Sequence, residues 1–378
     1  MNLFNVYPLM PIEPVKGQGC YIYDQKGTQY LDFYGGHAVI SIGHAHPHYV
    51  KMISEQVGKL GFYSNAVINS LQQKLADKLG EISHCNEYQL FLCNSGAEAN
   101  ENALKLASFH TGRKKILAIK RGFHGRTSGA VAVTDNPKIV APYNENHQVT
   151  WINLNDTEAM QKELSTKEYA AIIIEGIQGI AGIYEASDDF LQAVEKTCKK
   201  TDTLYISDSI QCGYARSGDF FSHQKSGVKP DIISMAKGMG NGFPVGGILI
   251  HPKIKAQFGM LGTTFGGNHL ACAAAIAVLD IIKEENIIEN VQIIGSYLKT
   301  ELEKIKGIKE IRGRGLMLAV ELEKSIKELR NTLVTQSNIF TGSAGNPNVL
   351  RLLPPLNIKK EHADLFLKHF VQHIEDYI

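Results

Sequence analysis

An α/β fold in two unequal parts is expected from the sequence. The larger is a domain over residues 41–283 built on a mainly parallel sheet; the smaller is an α+β domain formed jointly by residues 1–40 and 284–378. Three observations lead there. Short apolar runs alternate with longer helix-like stretches from about residue 88 onward. Several of those runs are apolar on both faces, as buried parallel strands are. Both ends of the chain carry β-rich stretches that lie outside this alternation.

In chain order, GCYIYDQKGTQYLDFY (19–34) reads as a hairpin, with aromatic and β-branched residues around a Gln-Lys-Gly turn. The strand-like runs follow: YQLFLC (88–93), KILAI (115–119), AAIIIE (170–175), TLYISD (203–208), DIISMA (231–236) and GGILI (246–250). Between them lie helix-like segments such as EANENALKLASFH (98–110) and DFLQAVEKTCKK (189–200). One long helical segment near 269–305 is expected to bridge the two parts. The small part then continues with GIKEIRGRGLMLAVEL (307–322), NVLRLLPPL (348–356) and a helix over 361–378.

Composition narrows the function classes. The 378 residues are 44% hydrophobic, enough for a large core, and 39 basic against 38 acidic side chains leave a net charge of +1. Such a balance gives no field for collecting nucleic acid or an anionic membrane surface. The start MNLFNVYPLMPIEPV lacks a basic n-region and a long apolar core, and no run approaches the roughly 18 apolar residues of a membrane span. Six cysteines without C-x-x-C spacing fit neither a disulfide framework nor a zinc site. The expectation is a soluble, cytoplasmic protein without a structural metal.

Open α/β sheets bind ligands beyond the carboxyl ends of their strands. Those ends here carry Asn94-Ser95-Gly96, GFHGRT (122–127), Glu175, Asp208 and Lys237. Lys237 follows an apolar run and precedes ten residues holding five glycines. A solvated lysine would be the ordinary reading, but an unpaired buried ammonium loses its proton, and a neutral amine can form a Schiff base. Asp208 is a turn aspartate or, at a sheet centre, a carboxylate in need of a cation; a pyridinium nitrogen would serve, with Ile210 and Gln211 offered to the same ring. NSGAEAN (94–100) fits a capping box, Ser95-x-x-Glu98, and equally a phosphate cup at a helix start. In GFHGRT the glycines flank Phe123-His124, which either display an aromatic ring or pack it inward. Arg126 is a surface arginine unless a carboxylate must be held bidentately.

Taken together, NSGAEANENALKLA, GFHGRT, IIIEGIQG, DSIQCGYARSG, SMAKGMGNGFPVGG and TTFGGNHLACAAA, in this order, resemble the class III pyridoxal-phosphate aminotransferases, and among them the acetylornithine and ornithine enzymes. The resemblance runs from about residue 30 to 358 and keeps Asp208 and Lys237 at the family's separation of 29 residues. It implies the fold type I architecture and a homodimer with shared active sites. Lys237 would carry pyridoxal phosphate and shuttle a proton, Asp208 would hold the ring nitrogen protonated, and Gln211 would bond the ring's phenolic oxygen. Phe123 and Ile210 would cover the two ring faces, with His124 also at the coenzyme. Ser95, Gly96 and Ala97 would bind the phosphate, joined by Thr264 of the neighbouring subunit. Arg126 would bind the α-carboxylate of an acylated ornithine, and Arg351 a carboxylate of glutamate or 2-oxoglutarate. Tyr63, Asn65 and Glu175 are further candidates on the substrate side.

Departures from the family pattern carry information. EGIQGI (175–180) stands where the family reads E-P-x-Q-G-E, so Ile180 replaces a glutamate that in relatives pairs with the arginine matching Arg351. Arg351 is then expected to stay open to anions throughout, which favours a donor with an extra negative group, such as N-succinylornithine. Ser209 replaces a glutamate, and His269 a common proline. The rival activities on this fold are ornithine and 4-aminobutyrate aminotransferase and an aminomutase; Arg126 argues against the last. A nicotinamide-dependent oxidoreductase using GMGNGF (238–243) is remote, because the stretch is G-x-G-x-G with no clear helix after it. A non-catalytic binding protein would have no use for Lys237, Asp208 and Gln211 together.

Overall fold

A computed structural model describes residues 1–377. Seven strands form the first sheet, in the spatial order Gln89–Cys93, Gly246–Ile250, Ile232–Met235, Leu204–Asp208, Tyr169–Glu175, Lys115–Ile119 and Val149–Ile152. The last five run parallel. Both faces are buried: Ile172 and Ile174 pack on one side with Phe190 and Val194, while Ile173 packs on the other with Ala99, Ala103 and Ala107. Helices Gly96–Thr111 and Asp188–Thr201 supply those covers, so the two-sided apolar runs of the sequence have the expected cause.

Two features of this sheet differ from the expectation. Val149–Ile152 was not foreseen; it is a four-residue, half-buried edge strand, too short to show a period. Gly246–Ile250 is antiparallel to both neighbours. Only residues 236–245 separate it from Met235, and a parallel crossover needs a dozen residues or more.

The second sheet, also of seven strands, is where the chain ends meet. Its order is Pro14–Gln18, Tyr21–Asp24, Gln29–Phe33, Ile339–Ser343, Val349–Leu352, Met317–Leu322 and Ile308–Arg314. The hairpin over 19–34 is present, and Gln29–Phe33 pairs in parallel with Ile339–Ser343. The segment near 269–305 is two helices rather than one, His269–Glu284 and Ile287–Leu302, broken where Asn286 takes a left-handed φ of 51°. His269 is the first residue of its helix, a position that suits proline. The C-terminal helix spans Lys360–Ile374; Ile378, the end of the helix expected there, lies outside the described residues.

One core cluster joins the two sheets, running from Phe33 and Leu75 through Met235 and Ile276 to Leu318 and Phe366. Arg216 fastens the same junction. Buried, it donates to the carbonyls of Leu316 (3.0 Å), Pro354 and Ile40 (3.1 Å). Among the described residues, no helix is long and apolar enough to cross a membrane.

Candidate active site

Parallel register brings Glu175, Asp208 and Ser234 side by side at the carboxyl edge of the first sheet. Beyond that edge lies a cavity of about 410 Å³ whose walls include Lys237, Asp208, Ile210, Gln211, Phe123, His124, Arg126, Glu175 and residues 95–97. Eleven separate expectations thus converge on one space.

Lys237 enters it from the turn after Ile232–Met235, in a left-handed conformation with φ 48°. A non-glycine residue held there costs of order 1 kcal/mol or more, and such positions cluster at functional sites. Its side chain lies deep in the protein yet keeps some surface open to the cavity. No hydrogen bond or ion pair holds its amine among the described residues. Burial lowers its pKa, opposed by the charges of Asp208 and Glu175. More of the amine is therefore neutral than in water, as a nucleophile requires. The glycines that follow do less than expected: of the five, Gly242 alone lines the cavity. Gly240 is needed for chain packing instead, since a Cβ there would sit 2.1 Å from the carbonyl of Phe243.

Asp208 is buried and held from behind. Its Oδ2 accepts from Asn100 Nδ2 and is bonded by His124 Nδ1, both at 2.7 Å, while Oδ1 accepts from the Ile210 N–H at 3.1 Å. Asn100 also bonds the His124 carbonyl and the Ser234 hydroxyl. Burial opposes a charge on His124, but the hydrogen bond and charge of Asp208 outweigh it, so the imidazole pKa is raised. His124, expected at the coenzyme, lines the cavity and bonds Asp208. Sequence reading passed over Asn100: a single mid-helix asparagine gives no sign of which sheet residue it will meet.

Residues 94–100 form half of the expected capping box. Ser95 Oγ accepts from the Glu98 N–H (3.2 Å), and the Glu98 carboxylate reaches back to Asn94 rather than to the cap itself. That leaves the N–H groups of Gly96 and Ala97, at the start of a 16-residue helix, free to face an anion. Gly96 must lack a side chain because a Cβ would lie 2.9 Å from Ile210 Cδ1. Phe123 is half-buried on the cavity wall with its N–H bonded to Glu175 Oε1 (2.9 Å).

The substrate-side candidates divide. Glu175 gives its other oxygen to the Gly179 N–H (3.0 Å), and burial raises its pKa. With one bond to each oxygen it ties the Phe123 and Gly179 loops together while lining the cavity. Arg126 is exposed at the cavity mouth. Arg351, only 2% exposed, borders the cavity through Gln211: its Nη1 donates to the Gly179 carbonyl (3.1 Å) and, weakly, to Gln211 Oε1 (3.4 Å), and its Nε to the Ser343 carbonyl (2.6 Å). No carboxylate pairs with it among the described residues, and burial brings its pKa down to about 10. Gln211 donates to the His37 carbonyl (3.0 Å). Thr264 and Tyr63 are exposed, and Asn65 donates to the carbonyls of Thr263 and Gly266. These three lie on two surface segments, joined by Asn65, that do not line the cavity of their own chain.

The residues fit pyridoxal phosphate. An unpaired amine faces a buried carboxylate whose charge no lysine or arginine neutralises, between an aromatic ring and an isoleucine, with a helix start free for phosphate. A dinucleotide loop is excluded at GMGNGF, where a short 3₁₀ turn, Lys237–Met239, leads into a strand and not into a helix.

Comparison with known proteins bears on the same point. A model of the class-III aminotransferase family matches residues 5–374. The acetylornithine aminotransferase of Aquifex aeolicus is 40% identical over 371 residues, covering 96% of each chain. That of Bacillus subtilis is 39% identical over 366 residues, covering 95% of this chain and 94% of the relative. Among solved structures, the ornithine aminotransferase of Toxoplasma gondii superposes with a TM-score of 0.91 at 27% identity, over 99% of this chain and 92% of that one. The acetylornithine aminotransferase of Elizabethkingia anophelis does so with a TM-score of 0.85 at 29% identity, over 99% and 96%.

Proposed function

The chain belongs to the class III aminotransferases, and on that premise we propose that it moves the terminal amino group of an N-acylated ornithine to 2-oxoglutarate, giving the acyl-glutamate semialdehyde and glutamate. The reading rests on one observation above others: a lysine unpaired among the described residues and an anchored aspartate line one cavity at the carboxyl edge of the sheet. Relatives that act on acetylornithine supply the substrate class.

Pyridoxal phosphate, when bound, supplies an electron sink for the carbon that loses its proton. The protein does the rest. Lys237 Nζ takes that proton and returns it, its pKa having been brought toward the working range by burial. Asp208, fixed by Asn100 and His124, would face the ring nitrogen and favour its protonated form. Ser95, Gly96 and Ala97 would hold the phosphate, and Phe123 and Ile210 would hold the ring between them. Arg126 orients the donor by its α-carboxylate. Arg351 receives a carboxylate of the dicarboxylic partner; that no carboxylate forms an ion pair with it among the described residues, with Ile180 on the cavity wall, supports an anion as the missing counter-charge. Thr264, Tyr63 and Asn65 would serve the site of a second copy, as in a homodimer, and the buried, unpaired thiols suit the reducing cytoplasm.

The test is a glutamate-release assay with 2-oxoglutarate and, separately, N-acetylornithine, N-succinylornithine, ornithine and 4-aminobutyrate. An acylated donor should give the highest kcat/KM. Preference for ornithine or 4-aminobutyrate would replace this reading with the corresponding activity.

A further inference from the structure

Beyond Phe123 and Ile180 lies a second cavity, of about 450 Å³, which shares those two residues with the first. Two donors face it. Arg121 stands with its guanidinium carbon 4.4 Å from the centre of the Tyr184 ring. Arg312 lies against the same ring at 4.3 Å, but it is engaged by Glu310 and Glu321 and by the Gly182 carbonyl. Arg121 has no carboxylate within ion-pair distance among the described residues. The Asp135 carboxylate also borders this cavity; it accepts from the Arg121 N–H (2.6 Å) rather than from the guanidinium.

The local backbone is held at some cost. Arg121 has φ 63°, and Ile183, just before Tyr184, has φ 62°, which for a β-branched residue is a genuine outlier. Each is fixed by a hydrogen bond, Arg121 to Asp135 and Ile183 to the Gln178 carbonyl (3.0 Å). Both donors of the second cavity are thus placed by residues in strained conformations, at the border of the reacting space. Between them and the first cavity, Ile180 contributes neither charge nor hydrogen bond from its side chain.

Resting on the N-acylornithine reading, we infer that this second cavity is the subsite for the far end of the acyl group. It takes an acyl chain that ends in a carboxylate, of the succinyl type. The carboxylate is held by the Arg121 guanidinium and the Tyr184 hydroxyl, while the methylene arm lies along Phe123 and Ile180. A planar guanidinium offers a carboxylate two parallel donors, and a neutral acetyl group gains nothing from it.

The experiment uses the coenzyme-loaded enzyme and the variants Arg121→Gln, Arg121→Lys and Tyr184→Phe. In the wild type, kcat/KM is expected to be higher for N-succinylornithine than for N-acetylornithine. Arg121→Gln should cut that ratio by about 10–100-fold through KM, the loss of a charge-assisted hydrogen bond, with partial rescue by lysine. Calorimetry gives a second readout: N-succinylglycine should bind the wild type more tightly than N-acetylglycine, and Arg121→Gln should erase the difference. An unchanged ratio in Arg121→Gln, or equal binding of the two glycines by the wild type, overturns the subsite and leaves the aminotransferase reading standing. Turnover confined to unacylated amines overturns both.

Discussion

Around Arg216 each charged nitrogen that bonds finds a backbone carbonyl, on residues 316, 354 and 40, and the guanidinium locks the two sheets together. Around Lys237, 21 residues later, no partner bonds the amine among the described residues. Burial lowers both pKa values, that of Arg216 to about 9. The contrast is instructive because the desolvation is common to both and only the hydrogen bonding differs. A buried cation with its donors satisfied is a fastener. One left unsatisfied, in strained backbone beside a cavity, costs stability that folding alone does not repay, and the cost is intelligible if the amine must be free to react.

Substitutions can break this contrast or sharpen it. Lys237→Ala should lower turnover by about 10³-fold or more, since it removes both the attachment point and the proton carrier. The same variant should leave the coenzyme-free protein at least as stable as the wild type, and more stable by up to about 2 kcal/mol, because it removes an unsatisfied buried amine. Substantial turnover in that variant would end the parallel drawn here. Arg216→Met should do the reverse at the level of folding. Three carbonyls lose their donor, and unfolding in denaturant should show a loss of about 3–5 kcal/mol. Were Arg216→Met to unfold like the wild type, the fastening role would be wrong.

Much of the site was legible because its signals are local. A lysine after an apolar run, an aspartate at a strand end and Ser95-x-x-Glu98 at a helix start each sit within one short window, and sheet parallelism brings them to the same edge. What escaped reading depends on long-range partners. Asn100 meets Asp208 and Ser234 across 108 and 134 positions of sequence. Arg216 reaches carbonyls at both ends of the chain, and Arg121 finds Tyr184 only after the loops have folded. Strand direction at Gly246–Ile250 was readable in principle from the length of residues 236–245, whereas Val149–Ile152 gives four residues and no period. The two backbone N–H partners of Glu175, on Phe123 and Gly179, were likewise beyond reach of a local reading.

The account turns on Lys237 as the residue that carries the coenzyme, and peptide mapping tests that most directly. The enzyme loaded with pyridoxal phosphate is reduced with borohydride, digested, and its peptides are weighed. The pyridoxyl mass is expected on the peptide that contains Lys237, in near-stoichiometric yield and on no other lysine. A label spread over surface lysines, or absent after loading, would contradict the assignment of the site.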